Sequence, residues 1–335
     1  MTPLRVVLSI DVEEEGLFGG AYARSDVSVR NVGWLEQLVP LLQRTQLPVT
    51  LLCAHSVFTD VVACRALDAV RRACRVEIGA HLHHWNTPPL SLPPADGGAY
   101  ESAGSVPEEL MREKLHTLFC AGKAFAGHSL TSFRMGRWDM HRAHWPLLAQ
   151  CGVKVDASVR PLHCGPAGSA APDHYFAPCT PYWVDAGGAE LLEMPLTCVP
   201  LIPGGGRVLG GVPAVRHTVQ KWGALAVLPV YHPLWAMRAI TRCMIAQGVN
   251  VLSLTWHSSE MMPGGAPHIP DIAAVRRLLT RIGDYLLWLR RHWDVRGLTL
   301  EEMRGEPDTW PRGASGGHVA GGDWRYSRDG KGTLL

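Results

Sequence analysis

The chain has 335 residues, of which 47% are hydrophobic and 19% charged. That balance excludes an extensively disordered protein and suits a large packed core, within the size of a single α/β barrel. Lys and Arg number 32 against 30 Asp and Glu, which leaves no basic footprint for nucleic acid, and no run of 18 apolar residues is present to span a membrane.

Strand-length apolar runs alternate with helical patterns along the chain. Leu4 to Asp11 predicts a first strand and Gly33 to Arg44 a helix. Val49 to Ala54 predicts a strand, Val61 to Ala73 a helix, and Arg75 to His81 a third strand. Ser105 and Glu108 stand at capping-box spacing with Pro107 between them, predicting a helix that runs to about Gly127. Thr131 to Arg134 and Val153 to Ser158 predict short strands either side of a helix over Met140 to Cys151. Residues 159–230 are rich in Pro and Gly and read as a loop-rich insertion with short strands. Val249 to Trp256 predicts a late strand and Ile269 to Trp293 a long amphipathic helix. The alternation predicts an α/β fold with a parallel sheet over residues 1–304, and a flexible tail over 305–335. Strand-like residues begin by Val6, leaving no room for a cleaved signal, so a cytoplasmic location is expected. The nine cysteines are scattered without a C-x-x-C pair. Reduced thiols are expected, not disulfides or a cysteine-bound zinc.

Five of the apolar runs end in residues suited to chemistry: Asp11 and Glu13; His81, His83 and His84; Arg134; Asp156; and His257. In parallel α/β folds the carboxyl ends of the strands form one rim, where active sites sit. Asp11 and Glu13 are two apart, as are His81 and His83, so in extended chain each pair shares a face. One carboxylate with two imidazoles is a ligand set for a divalent metal, zinc by chemical preference, and leaves a position for water.

Ser9-Ile10-Asp11-Val12-Glu13, Glu77-Ile78-Gly79-Ala80-His81, Phe133-Arg134-Met135-Gly136-Arg137-Trp138, Val155-Asp156-Ala157-Ser158 and Leu252-Ser253-Leu254-Thr255-Trp256-His257-Ser258 occur in that order. Together they resemble the motifs of the polysaccharide deacetylase family of NodB-type fold, across roughly residues 4–295. The resemblance implies a distorted (β/α) barrel, a divalent metal, often zinc, and hydrolysis of an acyl, commonly N-acetyl, group on a carbohydrate. It places Asp11 as catalytic base, Glu13 as carboxylate ligand and His81 as first histidine ligand. It makes Arg134 the holder of the base, and Asp156 the orienting carboxylate paired with His257, the general acid. The chain departs from the commonest pattern twice. Val12 separates the two acidic residues, and Trp85 stands where the second histidine usually falls, four residues after the first. The second imidazole is then His83, which strand geometry keeps on the face of His81, or His84 if the chain turns sharply. Trp85, Arg137 and Trp138 lie beside the motifs as candidate substrate contacts, where an indole can stack on a sugar ring or close the core. Two other readings are a related barrel that hydrolyses non-peptide C–N bonds in a small amide, and a glycan-binding barrel without turnover.

Overall fold

The computed structural model describes residues 3–20, 22–90, 101–165, 170–200, 212–306 and 310. Its main sheet contains β1 (Leu4–Val12), β2 (Val49–Ala54), β3 (Val76–Leu82), β4 (Ser132–Met135), β5 (Val155–Asp156), β6 (Tyr182–Asp185), β7 (Glu190–Glu193), β10 (Val251–His257) and β11 (Val295–Leu298). Their order is β10-β1-β2-β3-β4-β5-β7-β6, with β11 also pairing to β1. All pairings are parallel except the β6–β7 hairpin. A separate antiparallel pair joins β8 (Cys198–Pro200) to β9 (Ala224–Ala226). The sheet is therefore a curled α/β half-barrel with helices outside it. Ser253 on the end strand β10 donates its N–H to Thr197 Oγ1, in the segment between β7 and β8, at 2.8 Å.

β1 is buried at all nine positions, as a parallel strand covered on both faces must be. Its alternate residues part company. Leu4, Val6, Leu8, Ile10 and Val12 pack in the large core beneath the helices. Val7 instead joins Leu52, Val155, Ala157, Leu192, Met194 and Val251 in a second core inside the half-barrel, floored by Leu298, Leu300 and Met303. Period-2 geometry thus carries Arg5, Val7, Ser9 and Asp11 up the inner face. Arg5 is buried at the bottom and paired with Glu306 at 2.7 Å, while Asp11 reaches the carboxyl-end rim.

The helices follow their predicted positions with local differences. Residues 30–38 form 3₁₀ turns before an α-helix at Val39–Thr45. The helix Glu108–Ala126 has Pro107 at its N-cap without a side-chain cap. Ser105 closes the preceding 3₁₀ turn, and it is Ser102 that caps that turn, so the expected capping box does not form. The long late helix spans Ile272–His292, capped by Asp271, whose carboxylate accepts from Ala274 N–H. Within the segment 159–230, β7 extends the main sheet beside β5 and β6 completes it. Each of these is a short strand of four residues, as expected for a segment of loops and short strands. The expected tail over 305–335 lies outside the described residues apart from 305, 306 and 310.

Candidate functional site

Glu13 follows the end of β1. Its backbone is pinned from two sides: its N–H donates to Ser258 Oγ at 3.1 Å and its carbonyl accepts from Asn31 Nδ2 at 2.9 Å. The carboxylate is buried, with Oε2 lying 3.1 Å from His81 Nε2 and 3.2 Å from His83 Nε2. Ligand atoms of Glu13, His81 and His83 all fall within 4.8 Å of one another, and they form the one such group of three among the described residues. The inner face of β3 supplies His81, and His83 follows one residue past the strand on the same side, as their two-residue spacing requires. His84 turns away and meets the Glu101 carbonyl at 3.0 Å, so His83 is the histidine gathered with Glu13 and His81.

These residues fit a divalent cation. His83 Nε2 is buried and makes no well-formed hydrogen bond, while its Nδ1 meets Glu14 Oε1 at 2.7 Å. A ligand histidine characteristically has its second nitrogen anchored in this way, which fixes tautomer and ring orientation. Asn86 Nδ2 also donates to Glu14 Oε1 at 2.6 Å. The turn after His83 is held by buried Lys114, which donates to the carbonyls of Thr87 (2.7 Å) and Pro89 (2.6 Å). Gly136 lies against the His83 ring, and a β carbon there would collide with that ring and with the Leu82 carbonyl. The two residues after it, Arg137 and Trp138, both take positive φ, a conformation costly for residues with side chains and met most often at functional sites.

Arg134 is buried at the end of β4 and spends its donors on the base candidate and its surroundings. It pairs with Asp11 Oδ1 and donates to Thr255 Oγ1 at 2.9 Å, Ser9 Oγ at 2.8 Å and the Ala157 carbonyl at 2.7 Å. The other Asp11 oxygen lies 3.7 Å from His257 Nε2. The carboxylate partner of His257 is Glu260, whose Oε2 lies 3.1 Å from Nδ1 and whose Oε1 meets His268 Nε2 at 2.8 Å. Burial works against a charged His257, but Glu260, Glu13 and Asp11 outweigh it and raise the imidazole to about 9. Glu260 falls correspondingly to about 2, against the effect of its own burial. Burial likewise opposes ionisation of Glu13, yet His257, His81 and His83 hold its carboxyl far below the usual range.

Asp156 does not take the place expected for it beside His257. Its neighbours Val155 and Ala157 face the inner core, so alternation turns Asp156 to the outer side of the sheet. There it accepts from Trp145 Nε1 at 2.9 Å and bonds Ser158. Its strand partner across the β5–β7 ladder is Glu193. Burial raises both carboxyls, Glu193 well above its ordinary value, with Asp156 adding like-charge repulsion to Glu193. Two buried carboxyls side by side favour a shared proton.

The three aromatic and basic candidates divide. Trp85 is buried and stacked on His83, with ring centroids 4.2 Å apart. It packs the histidine pocket and offers no face to a sugar. Trp138 is half-buried over the Arg134 guanidinium at 4.8 Å. Arg137 is exposed and bonded to Tyr22. Sequence reasoning gave no role to Glu14 or Glu260. The signal for Glu260 was its three-residue spacing from His257 at a strand-to-helix turn. Glu14 lay hidden in the run Glu13-Glu14-Glu15, whose first two members take the two nitrogens of His83 while Glu15 turns to Asn31 and Arg30.

No protein-family model and no curated protein matches the chain. Solved structures do match in fold. A structure described as a polysaccharide deacetylase from Mycobacterium smegmatis aligns with TM-score 0.56 at 18% identity, covering 90% of this chain and 88% of that one. The Puue allantoinase and a structure described as a polysaccharide deacetylase from Pseudomonas aeruginosa PAO1 each align with TM-score 0.55 at 12% identity, covering 90% and 89%. The chain therefore has the NodB-type distorted (β/α) barrel of the polysaccharide deacetylases, the fold that its ordered motifs resemble.

Proposed function

We propose that this chain is a metal-dependent hydrolase of deacetylase type, removing an acyl group, N-acetyl in the first instance, from a sugar or glycan precursor. The observation that carries the reading is the gathering of Glu13, His81 and His83 beside the Asp11–Arg134 pair and His257. Glu13, His81 and His83 would hold the cation, zinc by the chemistry of one carboxylate and two imidazoles. When bound, such an ion polarises the acyl carbonyl and acidifies water.

The chain's own groups supply the rest. Arg134 aims Asp11 through one oxygen, leaving the other to take a proton from the attacking water. His257, kept protonated by Glu260, stands on the far side of Asp11 and gives its Nε2 proton to the departing amine. The base and the acid thus have separate partners, Arg134 for Asp11 and Glu260 for His257.

The test is metal analysis of the purified chain followed by hydrolysis assays on N-acetylated sugars, before and after chelation. About one equivalent of metal and acetate release that stops with chelator are expected. A metal-loaded protein that releases no acetate from any such sugar would sink the deacetylase reading. A second reading, hydrolysis of a C–N bond in a small or cyclic amide, is favoured by the equal likeness to the allantoinase structure. Allantoin therefore belongs in the same panel, and ring opening to a carboxylate, read as acid release from it alone, would select that reading.

A further inference from the structure

From residue 194 to 259 the chain runs for 66 residues without a single Asp or Glu, yet it carries Arg207, Arg216, Lys221, Arg238 and Arg242. Continued to residue 293, the stretch holds ten Lys and Arg against three acids, Glu260, Asp271 and Asp284, while the remainder of the chain holds 22 against 27. Glu260 is buried and bonded to two histidines. A chain close to neutral overall thus concentrates its positive charge in one stretch of sequence; on the described part of it Arg216 is paired with Asp173, and Lys221, Arg238 and Arg242 carry the charge of the segment 212–242.

The same region exposes aromatic surface. Trp222, Tyr231 and Trp235 are 68%, 56% and 71% exposed, and they are the exposed aromatic residues among the described ones. Trp222 ends the helical turns that lead into β9, and the Lys221 ammonium lies 5.3 Å from its ring. Trp235 stands in the first turn of the helix Leu234–Ala246, four residues after Tyr231, and that helix packs on β8 and β9. Arg281 donates to the Pro229 carbonyl at 2.7 Å, which ties this face to the Arg-bearing helix Ile272–His292. The face adjoins the candidate site. The Tyr231 ring is 5.3 Å from that of His268, which bonds Glu260, which bonds His257. Leu228 and Ala226 pack with Trp138, the indole over Arg134.

Leaving three large aromatic rings in water forfeits hydrophobic free energy. Trp and Tyr settle favourably at the headgroup level of a bilayer, and Lys and Arg draw such a surface to anionic lipid. A second copy of the chain would oppose this positive face with another of the same sign. No helix among the described residues is long and apolar enough to cross a membrane, so contact would be at the surface. We propose that the face built from residues 212–242 docks on an anionic lipid bilayer, setting the mouth of the site at the membrane surface. Docking itself is independent of the reaction. Its use, to present an acylated sugar carried on a lipid, rests on the function proposed above.

The test is co-sedimentation of the full chain with vesicles of phosphatidylcholine alone or mixed with phosphatidylglycerol. Binding to the mixed vesicles only, weakened by salt, is expected. The double variant Trp222→Ser/Trp235→Ser should lower partitioning about tenfold or more, and Lys221→Glu/Arg242→Glu should do the same by reversing charge. Both should keep the metal content and the hydrolysis of a soluble substrate. Absence of partitioning into the mixed vesicles would overturn the proposal, as would equal partitioning of wild type and both variants. A dimer that the tryptophan variant dissolves, without vesicle binding, would reassign the face to self-association. Because partitioning is read without turnover, a failed hydrolysis assay leaves this result standing and the reverse holds equally.

Discussion

Two buried carboxylate clusters sit on opposite faces of the same sheet, and they behave in opposite ways. On the inner rim, Glu13 is surrounded by His81, His83 and His257, which favour its charge against burial. On the outer side, Glu193 faces Asp156, which adds repulsion to burial and favours the neutral acid. Both clusters are built of residue types that look functional in a sequence. The lesson is that a carboxylate becomes a site for a cation only where its neighbours carry the opposite sign; beside its own kind it becomes a proton-sharing pair within the packing. Five substitutions can break or sharpen this contrast.

The largest effect is expected from Glu13→Gln. The amide keeps the shape but loses the charge that balances a cation, so metal stoichiometry should fall towards zero and turnover with it. Full metal occupancy, measured by elemental analysis, would break the contrast at its root. His257→Gln should lower kcat by roughly 10²- to 10⁴-fold, the range for loss of a positioned acid, while metal content stays near wild type. Equal rates in the two proteins would remove His257 from the reaction.

Glu14→Gln removes the anchor of His83 Nδ1. Metal affinity should drop by about 10- to 100-fold, read by competition with a chromogenic chelator. The same protein should regain occupancy at high metal concentration, which Glu13→Gln should not.

Glu260→Gln removes the nearest charge holding a proton on His257. A general acid acts below its pKa, so activity is present below about 9 and lost as pH rises through it. Removing the carboxylate lowers that pKa, and the alkaline limb of kcat should move to lower pH. An unmoved limb would assign it to another group.

The smallest effect is expected from Asp156→Asn. If Asp156 shares a proton with Glu193, an amide replaces a group already close to neutral. Metal content and kcat should stay within a factor of a few of wild type. A loss comparable with that of His257→Gln would restore Asp156 to the reaction and show the outer cluster to be coupled to the inner one.

Much of the inner rim was legible before any coordinates. Asp11, Arg134 and His257 stand at the ends of strands whose apolar runs are unmistakable, and a parallel sheet brings such ends together. The pairing of Asp156 with His257 was not legible. It required knowing on which face of a two-residue strand Asp156 emerges, and Val155 and Ala157 decide that by entering the inner core. The alternatives His83 and His84 differ by one position, and a one-residue change reverses the face in extended chain. Trp85 shows the same limit. Its place beside the histidines suggested a sugar platform, whereas stacking on His83 is a matter of how the turn after β3 folds back.

Local sequence determined the elements: the apolar runs are strands because they must be buried on both faces, and the polar residues that interrupt them mark the rim. Tertiary structure decided the partnerships. Glu14 with His83 and Glu193 with Asp156 are chosen by strand register, by the side of the sheet a residue occupies and by the charge of whatever packs opposite. None of these is a property of a residue and its neighbours in the chain. Each arises only when separate segments are brought within a few ångströms in a medium where water cannot screen them.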